Sequence, residues 1–168
     1  MLVAGSGTAA ALPQVTLRER GYQGPIYQTH GAVTKDFIRI VGKPAEGGIF
    51  ASGPVIVAEL QPDSALTKKP GLYVGPYEAK FVKDTRTQFG AHNWDVVPAL
   101  QRVVQVALKK AKPGTLEFRE ALHEPLMSER EIAASQAVYN WTATDCYGVD
   151  QRARVLLIVK NGDSALVQ

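Results

Sequence analysis

The chain holds a single cysteine, Cys146, in 168 residues, so no internal disulfide can form and the redox compartment stays open. It has no apolar run near the roughly 20 residues that a spanning helix needs, which excludes a membrane span of that kind. Charge of neither sign dominates: the net charge is +3 and the isoelectric point is near 9.0. The basic residues are scattered, and their densest knots are Lys68-Lys69 and Lys109-Lys110 with Lys112. Without an Arg/Lys stripe or a stacking platform, nucleic-acid binding is not expected. His30, His92 and His123 lie far apart and, with Cys146, show no metal-ligand spacing, so no metal is expected. No secretory signal, internal repeat or low-complexity segment is visible. Met1 leads straight into a strand, which reads as the middle of something longer.

What is present suits a folded domain. Apolar residues make up 45% and charged residues 21% of a length that can bury a proper core. The first 31 residues organise the rest. A strand, Leu2-Val3-Ala4, enters a small-residue loop, Gly5-Ser6-Gly7-Thr8, and a helix carrying Leu12, Val15, Thr16 and Arg20 follows. Turns at Gly21 and Gly24-Pro25 lead to a second strand, Ile26-Tyr27-Gln28, that ends in Thr29-His30-Gly31. In a parallel α/β sheet, ligands collect outside the carboxyl ends of the strands. That rule brings Ser6 and His30 to one rim.

Val33 to Gly42 reads as a short helix, with Thr34 as N-cap and Gly42 closing it. Ile49-Phe50-Ala51 is a strand, Ser52-Gly53-Pro54 interrupts it, and Val55-Ile56-Val57-Ala58 reads as its continuation. Gln61 to Gly71 reads as an exposed loop. Tyr73, Tyr77 and Phe81 fall at spacings of four, one helix face and most simply core. Asp84 to Phe89 reads as a polar loop. A long helix is expected from about Ala91 to Ala111, with Val97, Leu100, Val104 and Leu108 as its stripe and Pro98 in its first turn or at a kink. Thr115 caps a further short helix, with Pro125 beyond its end. Ala137 to Trp141 reads as a strand and Thr142 to Gln151 as a polar loop. Arg154–Lys160 and Ser164–Gln168 make a hairpin around Asn161-Gly162, a type I′ turn signal. The fold class is α/β, in which the chain leaves one set of layers and returns to it.

Gly5-Ser6-Gly7-Thr8-Ala9-Ala10 fits the G-x-G-x-x-A form of the dinucleotide fingerprint. Two features weaken that reading: the second strand ends in Gln28-Thr29-His30 without an acid, and Pro13 crowds the opening helix turns. The bland alternative is a tight strand-to-helix turn lining some pocket. His30 is either a surface histidine or a polar pocket contact, donor or acceptor by its tautomer. Ser6 is not in a G-x-S-x-G elbow, so no catalytic nucleophile stands out. Asp145-Cys146 reads as a polar turn between strands. Phe89, before Gly90, is core or the apolar wall of a pocket.

Taken together, LVAGSGTAAALPQVTLRERGYQGPIYQTHG, DFIRIVGKPAEGGIFASGP, YEAKF, FGAHNWDVVPALQRVVQVALKKAKPGTLEFREAL and GVDQRARVLLIVKNGD resemble the C-terminal part of periplasmic solute-binding proteins of the branched-chain amino acid type, which serve ABC importers. The resemblance runs over essentially the whole chain. It implies an incomplete part of a two-lobed fold, built of Rossmann-like layered parallel sheets with flanking helices and a ligand cleft between the lobes. Residues 1–52 would belong to the second lobe, 53–130 to a mainly helical first-lobe segment, and 131–168 to returning strands and the C-terminal hairpin.

By the same resemblance, Ser6, His30 and Phe89 fall at ligand-contacting positions, and Gly5 and Thr8 flank the first. The family often has at the His30 position a carboxylate that receives the ligand's α-ammonium. A neutral imidazole pairs poorly with an ammonium and a charged one repels it. The implied ligand is a small carboxylate-bearing solute, a branched-chain or aromatic amino acid or a related oxo-, hydroxy- or aromatic acid, and His30 favours those without an α-amino group. The resemblance also implies no catalysis, no cofactor, an ABC permease as partner and a periplasmic location for the complete protein. A half-fold would expose apolar surface, so a homodimer of this chain is expected. Two rival readings remain at this stage: an NAD(P)-binding oxidoreductase fragment built on Gly5–Ala10, and a ligand-sensing receptor domain of the same fold.

Overall fold

A computed structural model describes residues 1–62 and 71–167. The loop expected over 61–71, with its lysine pair Lys68-Lys69, lies mostly outside the described residues. The main sheet has five strands in the order β1 (Leu2–Val3), β2 (Tyr27–Gln28), β3 (Ile49–Ser52), β6 (Val155–Lys160) and β7 (Asp163–Leu166). β1, β2 and β3 run parallel, with Val3 opposite Gln28 and Gln28 opposite Phe50. β6 joins β3 antiparallel, with Phe50 opposite Leu157, and turns into β7. The chain therefore does return to its first sheet.

Between β1 and β3 run the helices α1 (Ala11–Glu19) and α2 (Lys35–Val41), which contact one another. Val3, Ile26, Phe37, Val41, Phe50, Leu157 and Val159 form one buried cluster with helix residues Ala10 and Ala11. Phe37 meets Phe50 edge-on at 5.4 Å between ring centres. Each such buried aromatic contributes about 1.5–3 kcal/mol over an exposed one.

Local chemistry sets several boundaries as expected. The Thr34 hydroxyl accepts from the Phe37 N–H at 3.1 Å, and Gly42 ends α2 at φ +64°. Asn161 and Gly162 hold φ of +56° and +74°, the two left-handed positions of a type I′ turn. The Glu46 carboxylate accepts from both of their N–H groups, at 3.1 and 2.6 Å, which fixes the hairpin against the β3 side of the sheet.

The rest of the described chain is mainly helical: α3 (Gly71–Phe81), α4 (Gln88–Ala107) and α5 (Leu116–Ser128), with a small antiparallel pair, β4 (Ile132–Ala133) and β5 (Val138–Tyr139). α4 and α5 pack together, and Ala99, Ile132, Ala134, Ala137 and Tyr139 form a second cluster. Thr115 caps α5 by accepting from the Phe118 N–H at 3.2 Å. Among the described residues no helix is long and apolar enough to cross a membrane.

Six expectations need correction. Val55–Ala58 does not extend β3; Pro54–Leu60 winds as a 3-10 segment with Val55 and Val57 buried, because Pro54 has no N–H for a ladder and its fixed φ starts a turn. α4 begins at Gln88, within the expected loop, because Thr87 caps it by accepting from the Gly90 N–H at 3.1 Å. Its buried face is Gln88, Ala91, Asp95, Ala99, Val103 and Ala107, whereas Val97, Leu100 and Leu108 of the expected stripe are exposed. The helix carries two apolar stripes, and the one with small residues lets α5 and the β4–β5 pair approach closely. Pro125 lies inside α5, and β5 is shorter than the expected 137–141 strand. Of the aromatic face on α3, Tyr73 is buried but Phe81 is exposed.

Candidate functional site

The rim at the carboxyl ends of β1 and β2 is built by close backbone approaches. A side chain at Gly5 would place its Cβ 2.8 Å from the Ala10 Cβ and 2.9 Å from its Cα. Only glycine lets the loop fold back onto the 3-10 turn Gly7–Ala10 that precedes α1. The Thr29 hydroxyl donates to the Gly5 carbonyl, tying the ends of β1 and β2 together. A Cβ on Gly31 would stand 2.9 Å from the Ser6 Oγ, and that hydroxyl donates to the Gly31 carbonyl at 3.5 Å. Ser6 and His30 therefore meet at one edge, as the strand–helix–strand reading requires.

α4 completes the edge. The Gln88 side-chain amide donates to the His30 carbonyl. Phe89 follows, half exposed. His92 comes one turn later, its ring centre 5.8 Å from that of His30 with 48° between the planes. Burial, and then the neighbouring His92, hold the His30 imidazole below its ordinary value, so it is neutral at pH 7 and presents one donor and one acceptor. Thr8 sits exposed on the 3-10 turn, and among the described residues no hydrogen bond joins it to Ser6 or His30.

Behind the rim, buried amides hold the strand ends. The Gln28 amide donates to the Gln14 side-chain oxygen at 2.8 Å, and Gln14 donates to the Pro44 carbonyl at 2.9 Å. On the α4 side, Gln136 donates to the Gln88 carbonyl at 3.4 Å. Asp95 accepts from the Ser135 and Gln136 N–H groups at 2.7 and 2.9 Å and from the Tyr139 hydroxyl at 2.9 Å.

Sequence reasoning missed Gln88 and His92. With α4 begun at Ala91, neither shared a helix face with Phe89. The Thr87-x-x-Gly90 cap was the available signal, since it places Gln88 and His92 four apart and Phe89 and His92 three apart. The nucleotide reading of Gly5–Ala10 loses its basis: the segment is a closed 3-10 turn with Ala10 against Gly5, not an open helix start. A separate cleft of about 370 Å³ lies away from this rim, lined among others by Lys35, Ile56, Glu59, Arg86 and Asp163. Four of its charged side chains pair within it, Lys35 with Asp163 at 2.5 Å and Arg86 with Glu59 at 2.5 Å.

No protein-family model matches the chain, and no curated protein does. Solved structures do. An extracellular ligand-binding receptor from Rhodopseudomonas palustris is 60% identical over 99% of this chain and 47% of its own, with a TM-score of 0.94. A second such receptor, from strain HaA2, is 37% identical over 99% and 46%, with a TM-score of 0.88. A leucine-binding protein, LivK, from Thermotoga maritima shares the fold at 22% identity, over 99% and 43%, with a TM-score of 0.72. The chain spans about half the length of each of these structures. It belongs with the extracellular ligand-binding receptors, and it shares the type I periplasmic binding fold with the leucine-binding protein.

Proposed function

We propose that this chain supplies one part of the ligand cleft of a solute-binding protein that serves an ABC importer in the periplasm, and that it catalyses no reaction. In this reading the five-stranded sheet with α1 and α2 belongs to one lobe, and α3–α5 with the β4–β5 pair belongs to the other. The cleft then opens where the strand ends meet α4. Ser6 supports binding over catalysis, since its hydroxyl donates to the Gly31 carbonyl and not to His30, leaving no nucleophile–base pair.

The ligand reading rests on one observation: Ser6, His30, Phe89 and His92 meet at the rim without a carboxylate among them. A hydroxyl and two imidazoles suit an anion, and an ammonium would find no counter-charge there. The ligand is therefore a small aromatic or branched acid without an α-amino group. Titration of the chain with phenylpyruvate and with leucine checks this. Millimolar phenylpyruvate should perturb the Ser6 and His30 resonances while leucine leaves them in place; binding of leucine alone would refute it.

Self-association belongs to the same reading. Phe89, Val96, Val97, Leu100 and Leu108 leave an exposed apolar stripe along α4, and such surface drives pairing. Light scattering should give the mass of a dimer, and Leu100→Lys should return it to a monomer. A monomeric parent chain would overturn this part.

A further inference from the structure

We propose that His92 is a ligand-binding residue, and that His30 and His92 hold the ligand carboxylate between their rings and take up a proton as it binds. The inference rests on the carboxylate reading above and adds to it a residue and a pH linkage.

The geometry carries it first. Ring centres 5.8 Å apart leave the two imidazoles too far apart to bond one another. One oxygen between them is within reach of both, since a charge-assisted N–H···O bond is about 2.8 Å long. The two rings come from different layers: His30 follows β2 and His92 stands in the second turn of α4. The Gln88 amide on the His30 carbonyl holds those layers in register, so the gap is set by structure at a distance from the rings themselves.

The charges facing the pair are few. From β1 comes the neutral Ser6 hydroxyl, and from α4 come the neutral Gln88 and Phe89. Asp95, three residues beyond His92, lies on the buried face of α4, where Ser135, Gln136 and Tyr139 occupy it. The charge that acts on His30 is His92's own, and it opposes protonation alongside burial. An empty pair therefore resists holding two protons. A carboxylate between the rings supplies the missing counter-charge and reverses that preference, so its binding must draw protons onto the pair. The observable is the His30 midpoint with and without a bound carboxylate.

The chain has only three histidines, which makes the test direct. The ¹H–¹³C signals of the imidazoles in the 168-residue chain are followed from pH 8 to 5, with and without phenylacetate, which stays ionised over that range. Phenylacetate should raise the apparent midpoint of His30 by about one pH unit, equivalent to about tenfold tighter binding at the acid end. His123, exposed on α5, should not move. Without ligand, His92→Gln should raise the His30 midpoint, and it should diminish the phenylacetate effect. Phenylacetamide, the neutral isostere, should leave all midpoints in place.

If phenylacetate shifts the Ser6 and His30 signals but leaves the midpoints unchanged, the proton linkage is overturned and the carboxylate reading stands. If phenethylamine perturbs the rim and phenylacetate does not, or if neither does at saturating millimolar concentration, the carboxylate reading falls and the proposal with it. A His30 midpoint indifferent to His92→Gln would overturn the pair itself.

Discussion

Replacing Asp95 with alanine should destabilise the chain by about 4 kcal/mol, the largest effect expected of any single change. Asp95 is 3% exposed, and its two oxygens accept from two backbone N–H groups and from the hydroxyls of Ser135 and Tyr139. Removing the carboxylate leaves the two backbone N–H groups and the Tyr139 hydroxyl buried and unpaired, each at about 1–3 kcal/mol before relaxation, while the Ser135 hydroxyl keeps the Ala91 carbonyl at 3.3 Å. Removing one partner of a buried charged network costs about 3–5 kcal/mol in general. Urea unfolding of the two chains measures the difference. Asp95→Asn keeps the shape but turns an N–H₂ toward donors, and should fall between the two. A loss below 1 kcal/mol for the alanine variant would mean that the Ser135–Gln136 turn finds other partners. The consequence reaches the rim, because Gln136 donates to the Gln88 carbonyl and Gln88 to the His30 carbonyl. The alanine variant should therefore also loosen His30.

Much of this arrangement was legible where the physics is local. Thr34 and Thr115 announced their helices because a hydroxyl three residues ahead of an N–H is a complete capping device. Asn161-Gly162 announced the hairpin because few other pairs tolerate two left-handed residues. The rim formed by Ser6 and His30 followed from strand polarity alone. Elements fixed by distant partners were not legible. α4 presents one apolar stripe of large residues and another of small ones, and periodicity alone cannot say which one α5 covers. β1, β2, β4 and β5 are two residues long, so their existence depends on pairing and not on propensity. Gln88 and His92 reach His30 across 58 and 62 positions, a proximity that no local pattern encodes. The return of the last strands to the first sheet was legible from the order of elements, strands, then a run of helices, then strands.

The buried amide pair behind the rim should show strong energetic coupling. Gln14 and Gln28 are 0% and 2% exposed, and the bond between them joins α1 to β2 at 2.8 Å. Two buried glutamines are costly unless each satisfies the other. Methionine is the apolar replacement nearest in length and flexibility. Gln14→Met strands the Gln28 amide, whose remaining contact is the Ala10 carbonyl at 3.4 Å, and also removes the donor to Pro44. Gln28→Met strands the Gln14 oxygen. Each single change should cost about 2 kcal/mol, the ordinary penalty for one buried polar group left unpaired. The double variant removes both orphans, so it should lose about 2 kcal/mol less than the sum of the singles, which urea unfolding of all four chains resolves. Strict additivity would show that the two amides do not share a bond. The same series reports on function, because Gln28 sits two residues before His30 in the strand that delivers it. If the amide pair sets the height of that strand end, the His30 signal should move in both single variants and return toward its original position in the double.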